Sequence, residues 1–131
     1  MADVLIRPES PADRRGIDVV NISAFGEEDE ARLVAALRNT PAYVPELTLV
    51  AENRQRILGH LMMLAARLEQ QSGTTGIVAL APMAVLPSHS HRGIGSELVT
   101  SALQRAGERG FPAVVVAGYP GYYSRFGFEP A

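Results

Sequence analysis

The stretch SHSHRGIGSEL, residues 88–98, sets Arg92, Gly93 and Gly95 at the mouth of a helical pattern. Beyond it, Leu98, Val99, Ala102, Leu103 and Ala106 fall on one face of a 3.6-residue helix. Gly110 suits the C-terminal stop of that helix, and Pro112 lies just past it. Before the turn, residues 77–86 are apolar at odd and even positions alike, the pattern of a strand covered on both faces. Residues 113–117, AVVVA, repeat that pattern. Strand, helix, strand in this order predicts a parallel pair joined by a right-handed crossover. Pro82 has no amide for a ladder bond, so the first of these strands should bulge or part from a neighbour there.

A helix start carries unpaired N–H groups and a partial positive charge. Glycines let an anion approach that backbone closely, and Arg92 adds a full charge. The turn therefore suits a pyrophosphate. A plain tight turn opening a helix is the alternative that the glycines alone leave open. Two better-known phosphate loops do not fit. No Lys-Ser/Thr pair follows the second glycine, as a P-loop needs. A dinucleotide fingerprint needs a third glycine where Leu98 stands.

The rest of the chain supplies a frame. Residues 4–7 read as a first strand. Ser10 as N-cap, Pro11 and Asp13 mark a helix start, with Ile17, Val20, Ala24 and Phe25 at helical spacing behind it. A second helix is predicted over residues 27–38, with Glu27, Glu28, Asp29 and Glu30 as its charged first turn and Leu33, Val34 and Leu37 on one side. Residues 47–51 and 57–66 flank a polar turn and predict a β-hairpin, residues 70–76 a loop, and residues 120–126 a short helix.

Composition narrows the function classes. The 131 residues suit one domain. A formal net charge of -2 offers no global basic field for nucleic acid. The absence of cysteine removes disulfides, thiolate catalysis and cysteine zinc sites, and fits a reducing cytoplasm. No apolar run reaches the roughly 20 residues that span a bilayer, and the first residues lack a signal-peptide core. No metal is expected, because His89 and His91 in a polar loop suit solvent or a phosphate better than a metal.

Met83-Ala84-Val85-Leu86-Pro87, then Arg92-Gly93-Ile94-Gly95, then an amphipathic helix resembles the acyl-CoA binding motif of the GNAT superfamily of N-acetyltransferases. Tyr123-Ser124-Arg125-Phe126-Gly127-Phe128 resembles that superfamily's Tyr-x-x-x-Gly-Phe segment. The resemblance is specific from about residue 76 to 128 and looser upstream. It implies an α/β fold over residues 1–131: a mixed sheet with N-terminal helices, a central β-hairpin and a strand-helix-strand acyl-CoA binding unit. It implies that the backbone of Met83, Ala84 and Val85 pairs with the pantetheine arm. The amides of His91, Arg92, Gly93, Ile94, Gly95 and Ser96 would hold the pyrophosphate, and Tyr123 would protonate the departing thiolate. Acetyl-CoA is then the cosubstrate, and the family's wedge between its fourth and fifth strands falls at residues 77–86 and 113–117.

Two departures from the family stand out. Ser90 replaces the usual Gln or Arg three residues before the first glycine, and the chain closes at Ala131, where the family adds one or two strands. An apolar strand left at an edge invites a partner, so a homodimer is expected, with a missing C-terminal segment as the alternative. With no cysteine and no Gly-x-Ser-x-Gly, the economical mechanism is direct attack of an amine on the bound thioester in a ternary complex. The acceptor, a small-molecule or peptide amine, carries no diagnostic motif. Tyr122 rivals Tyr123 as the acid. Glu52 and His60 are candidate bases, although a surface carboxylate and a hydrogen-bonded strand histidine are the favoured readings. A non-catalytic acyl-CoA binding module and a mononucleotide-binding domain are the competing functions.

Overall fold

The computed structural model describes residues 4–116 and 124–129. Residues 57–63 are buried without a break, which a strand achieves only between two layers. They belong to β3 (Arg56–Gln70), which runs antiparallel to β4 (Gly73–Val85). On its other side β3 pairs antiparallel with β2 (Leu49–Asn53), and β2 with β1 (Leu5–Pro8). β5 (Val114–Val116) joins β4 in parallel, giving a mixed five-stranded sheet in the order β1-β2-β3-β4-β5.

Three helices cover the sheet: α1 (Arg14–Phe25), α2 (Asp29–Arg38) and α3 (Ile94–Glu108). Gly59 shows which side α3 takes, since a Cβ there would lie 3.0 Å from Leu98 Cδ1 and 3.2 Å from Ile94 Cγ2. The next residue, His60, faces Asn21 of α1, with 3.5 Å between Nδ1 and Nδ2. Successive strand residues point to opposite faces, so α1 and α3 sandwich the sheet. The buried face of α3 is Leu98, Val99, Ala102 and Ala106, with Leu103 packed beside it, as its periodicity predicts. Gly110, at φ 84, follows the helix end. At the other terminus the Ser10 N–H and hydroxyl both donate to Asp13 Oδ2, at 2.8 and 3.1 Å, and a 3-10 turn over Pro11–Asp13 leads into α1.

Several expectations need correction. The segment 70–76 is no loop: β3 and β4 continue past the core and pair through Arg67↔Gly76 to Gln70↔Gly73. Their residues there are mostly polar and exposed, with Leu68 the one large apolar side chain among them, so no hydrophobic alternation announces the strands, and an uninterrupted backbone ladder forms them. α2 starts at Asp29, two residues later than residue 27. The buried stripe of α1 is Ile17, Val20 and Asn21, while Ala24 and Phe25 are exposed. In α2 it is Ala31 and Val34, with Leu33 exposed. The all-apolar segment 113–117 predicts a covered interior strand, yet β5 is the outermost described strand. Val114 and Val116 pack on the core while Val115 turns outward, 45% exposed. Of the helix expected over residues 120–126, only the 3-10 turn Ser124–Phe126 falls within the described residues.

Candidate functional site

Pro82 acts as its chemistry requires. Leu61 pairs with Met83 and Met63 with Leu80, so Ala81 and Pro82 oppose Met62 alone, a β-bulge. β5 pairs with β4 only below this point, at Val78↔Val114, Ala79↔Val115 and Leu80↔Val116. Among the described residues, therefore, the edge of β4 over residues 81–85 carries no strand on the β5 side.

That open edge leads into the glycine turn. A 3-10 turn over Pro87–His89 is followed by His91 at φ 63 and Gly93 at φ 82. The left-handed conformation of Gly93 carries no Cβ penalty, whereas His91 is held there against its preference. The Gly93 carbonyl accepts the first helical bond, from the Glu97 N–H at 3.0 Å. The amides of Ile94, Gly95 and Ser96 precede that bond and have no acceptor within the helix. The helix start is thus a set of donors aimed out of the fold.

A cleft of about 1090 Å³ joins these features. The strand side is made by residues 80–83 and Val85, and the turn side by residues 89–91 and 93–96. Met83 and Val85 face the cleft. Ala84, between them, is 3% exposed and joins the core, as strand alternation dictates. Arg92 is exposed and is not part of the cleft wall. Arg125 lines the cleft and donates from Nη2 to Ser96 Oγ at 3.4 Å, which puts a cation beside the helix start. The Ser90 hydroxyl is turned to the Pro87 carbonyl at 2.9 Å. The third wall comes from Phe25, Glu30, Leu33 and Leu37. These residues look, in the sequence, like ordinary helix faces and a charged first turn. Only the exposure of Leu33, off the core stripe of α2, sets it apart, while Leu37 also packs against the core.

The two hairpin candidates for a base lie away from this cleft. Glu52 accepts from Arg7 Nε at 2.6 Å, and Arg7 also donates to both oxygens of Asp13, at 2.7 and 2.8 Å. His60 is fully buried, with Nε2 3.3 Å from Glu9 Oε1, a contact not aligned as a hydrogen bond. Burial pushes its pKa down, so it is neutral, held between Asn21 and Glu9. Tyr123, with Tyr119 and Tyr122, lies outside the described residues. No cluster of three or more metal-ligating side chains occurs among the described residues.

A family model described as an acetyltransferase (GNAT) domain matches residues 6–131. The chain belongs to the GNAT acetyltransferase family. It is similar to YjhQ of Escherichia coli K12, named as an uncharacterised N-acetyltransferase, at 33% identity over 91% of this chain and 66% of that protein. It spans, in other words, about two thirds of that relative. A GNAT family acetyltransferase from Brucella melitensis, solved in complex with acetyl-CoA, superposes with a TM-score of 0.88 at 32% identity, covering 99% of this chain and 85% of that one. YhbS of Escherichia coli, solved in complex with CoA, gives 0.86 at 34% identity, covering 98% and 70%. The mixed five-stranded sheet is accordingly a GNAT sheet, and the family's chemistry is acetyl-CoA-dependent acetyl transfer. No helix among the described residues is long and apolar enough to cross a membrane.

Proposed function

We propose that this GNAT domain, over residues 1–131, transfers the acetyl group of acetyl-CoA to a small-molecule or peptide amine within a ternary complex. The observation that carries this reading is the continuity of one cleft from the open β4 edge beyond Pro82 to the glycine start of α3. The backbone of Met83, Ala84 and Val85 pairs with the pantetheine arm as an added strand would. The turn and helix-start backbone from His91 through Arg92, Gly93, Ile94 and Gly95 to Ser96 holds the pyrophosphate, with Arg125 beside it. The complexes of the Brucella and Escherichia coli relatives with acetyl-CoA and CoA support that assignment.

The amine nitrogen, having lost its proton to solvent, attacks the thioester carbon. An N–H of the bulged strand stabilises the developing oxyanion. The C–S bond then breaks, the thiolate takes its proton from Tyr123, whose phenol has a comparable basicity of about 10 when unperturbed, and the proton shed by the new amide nitrogen restores that phenol. Positioning of both substrates in one cleft supplies much of the rate. A net charge of -2 and the lack of cysteine favour a cytoplasmic setting and a partner other than nucleic acid. The exposed Val115 on the outermost described strand supports a homodimer through that edge. Light scattering over a dilution series tests this, and a concentration-independent monomer would exclude it.

Thermal shift with acetyl-CoA, CoA, NAD and ATP tests the ligand. Acetyl-CoA and CoA should raise Tm, and NAD and ATP should not. A Gly95→Trp variant should stay folded and lose CoA affinity, because the indole fills the space before the helix start. Undiminished CoA affinity in that folded variant would overturn the assignment.

A further inference from the structure

The wall that α2 presents to the cleft is a stripe. Glu30, Leu33 and Leu37 follow i, i+3, i+7 spacing and share a helix face. Phe25, at the end of α1, adjoins them. Leu33 is 48% and Phe25 43% exposed, and both face a concave surface instead of the core. Uncovered apolar side chains lining a cavity mark a surface shaped for an apolar ligand. One carboxylate stands in this wall. Glu30 Oε2 is shut off from solvent and has no hydrogen-bond partner among the described residues. Glu9, Asp13 and Glu52, by contrast, are each tied to an arginine. A buried carboxylate oxygen without a donor is costly, and an ammonium group relieves that cost.

The cleft is polarised by this arrangement. Its α3 end offers backbone amides, His89, His91 and Arg125, and so favours anions. Its α2 end offers apolar side chains and one anion. We propose that Glu30 anchors the ammonium group of the acceptor, and that the acceptor is a small primary amine on an apolar body lying against Phe25, Leu33 and Leu37. The inference rests on the acetyl-transfer reading above and names the substrate class of that site. Glu30 acts in binding, and the covalent step remains the one already described.

The test pairs calorimetry on the CoA-loaded protein with steady-state release of CoA thiol. The probes are 2-phenylethylamine, its uncharged isostere 2-phenylethanol, glucosamine and glutamate. The expected result is that 2-phenylethylamine binds and is acetylated, and that 2-phenylethanol binds at least about tenfold more weakly. Glu30→Gln should raise KM for 2-phenylethylamine about ten- to a hundredfold with KM for acetyl-CoA unchanged, and Glu30→Asp should recover part of the loss. The proposal is overturned if Glu30→Gln leaves the amine KM unchanged, or if glucosamine or glutamate is preferred to 2-phenylethylamine. It also falls if the protein binds acetyl-CoA yet accepts no arylalkylamine, an outcome that leaves the CoA site standing. Failure to bind acetyl-CoA or CoA at all would instead remove the transfer reading, and this inference with it.

Discussion

The buried carboxylate of Glu9 ties α2 to the sheet. It accepts from Arg38 Nε and Nη2 at 2.9 and 3.0 Å and from the Tyr43 hydroxyl, and it lies beside His60 of β3. The Arg38–Glu9 pair is nearly shut off from solvent, with side chains 6% and 3% exposed. Arg38 closes α2, so this pair docks the helix that forms one wall of the cleft onto the sheet. Removing one partner of a buried pair strands the other's charge. Glu9→Gln should therefore destabilise the protein by roughly 3–5 kcal/mol in chemical denaturation, and a loss below 1 kcal/mol would show the pair to be well hydrated. Tyr123→Phe should leave CoA affinity intact and lower kcat by roughly 10²–10⁴-fold, the range for a lost general acid. Normal turnover in that variant, with impairment in Tyr122→Phe, would transfer the role to the neighbouring tyrosine.

Two elements carry constraints that a substitution can probe. The β2–β3 hairpin turns on Arg54 and Gln55, both left-handed, at φ 51 and 69. Side chains resist that conformation at about 1–2 kcal/mol per residue. Gln55→Gly should thus stabilise the domain by about 1 kcal/mol, read as a higher Tm, and a lower Tm would mean that the side chain makes a contact worth more than its strain. Gly59 permits the opposite experiment. Its position under α3 leaves only tight room for a Cβ, with Leu98 Cδ1 at 3.0 Å and the Ala84 carbonyl oxygen at 3.3 Å, and none for the branches of a valine without a shift. Gly59→Val should cost roughly 1–3 kcal/mol by pushing the helix from the sheet. Because α3 begins at the glycine turn, CoA affinity should fall with it, which calorimetry would register.

For the whole molecule, acid is the sensitive condition. In the folded chain burial pushes the Glu9 carboxyl up, but its contacts with His60, Arg38 and Tyr43 outweigh this and hold it at about 2, below its ordinary 4.5. The Asp13 carboxyl is held at about 2 from 3.8, chiefly by its bonds to Arg7. Burial lowers His60 from 6.5. All three folded values lie below the unfolded ones, so the unfolded chain binds more protons and stability falls with falling pH. Tm should be flat near neutrality, begin to fall below about 6.5 as His60 contributes, and drop more steeply between about 4.5 and 2. A Tm that rises on acidification would contradict the burial of these groups. Most of the frame was legible in the chain itself. The helix-periodic face of α3, the glycine start, the crossover and the bulge at Pro82 follow from period, backbone freedom and a missing amide, which are local properties. The outer hairpin over residues 67–76 was not, because mostly polar, exposed residues with a lone Leu68 leave no alternating pattern. Nor was the wall of Phe25, Glu30, Leu33 and Leu37, since an apolar helix residue reads alike whether it meets core or cleft. The sequence by itself determined the GNAT frame and the glycine turn that opens α3. Only the tertiary structure decided that Glu52 is tied to Arg7, that His60 is buried beside Glu9, that Arg125 reaches Ser96 at the helix start, and that Glu30 lines the cleft. Those outcomes depend on which distant segments come together, and spacing along one chain does not encode distance across a fold.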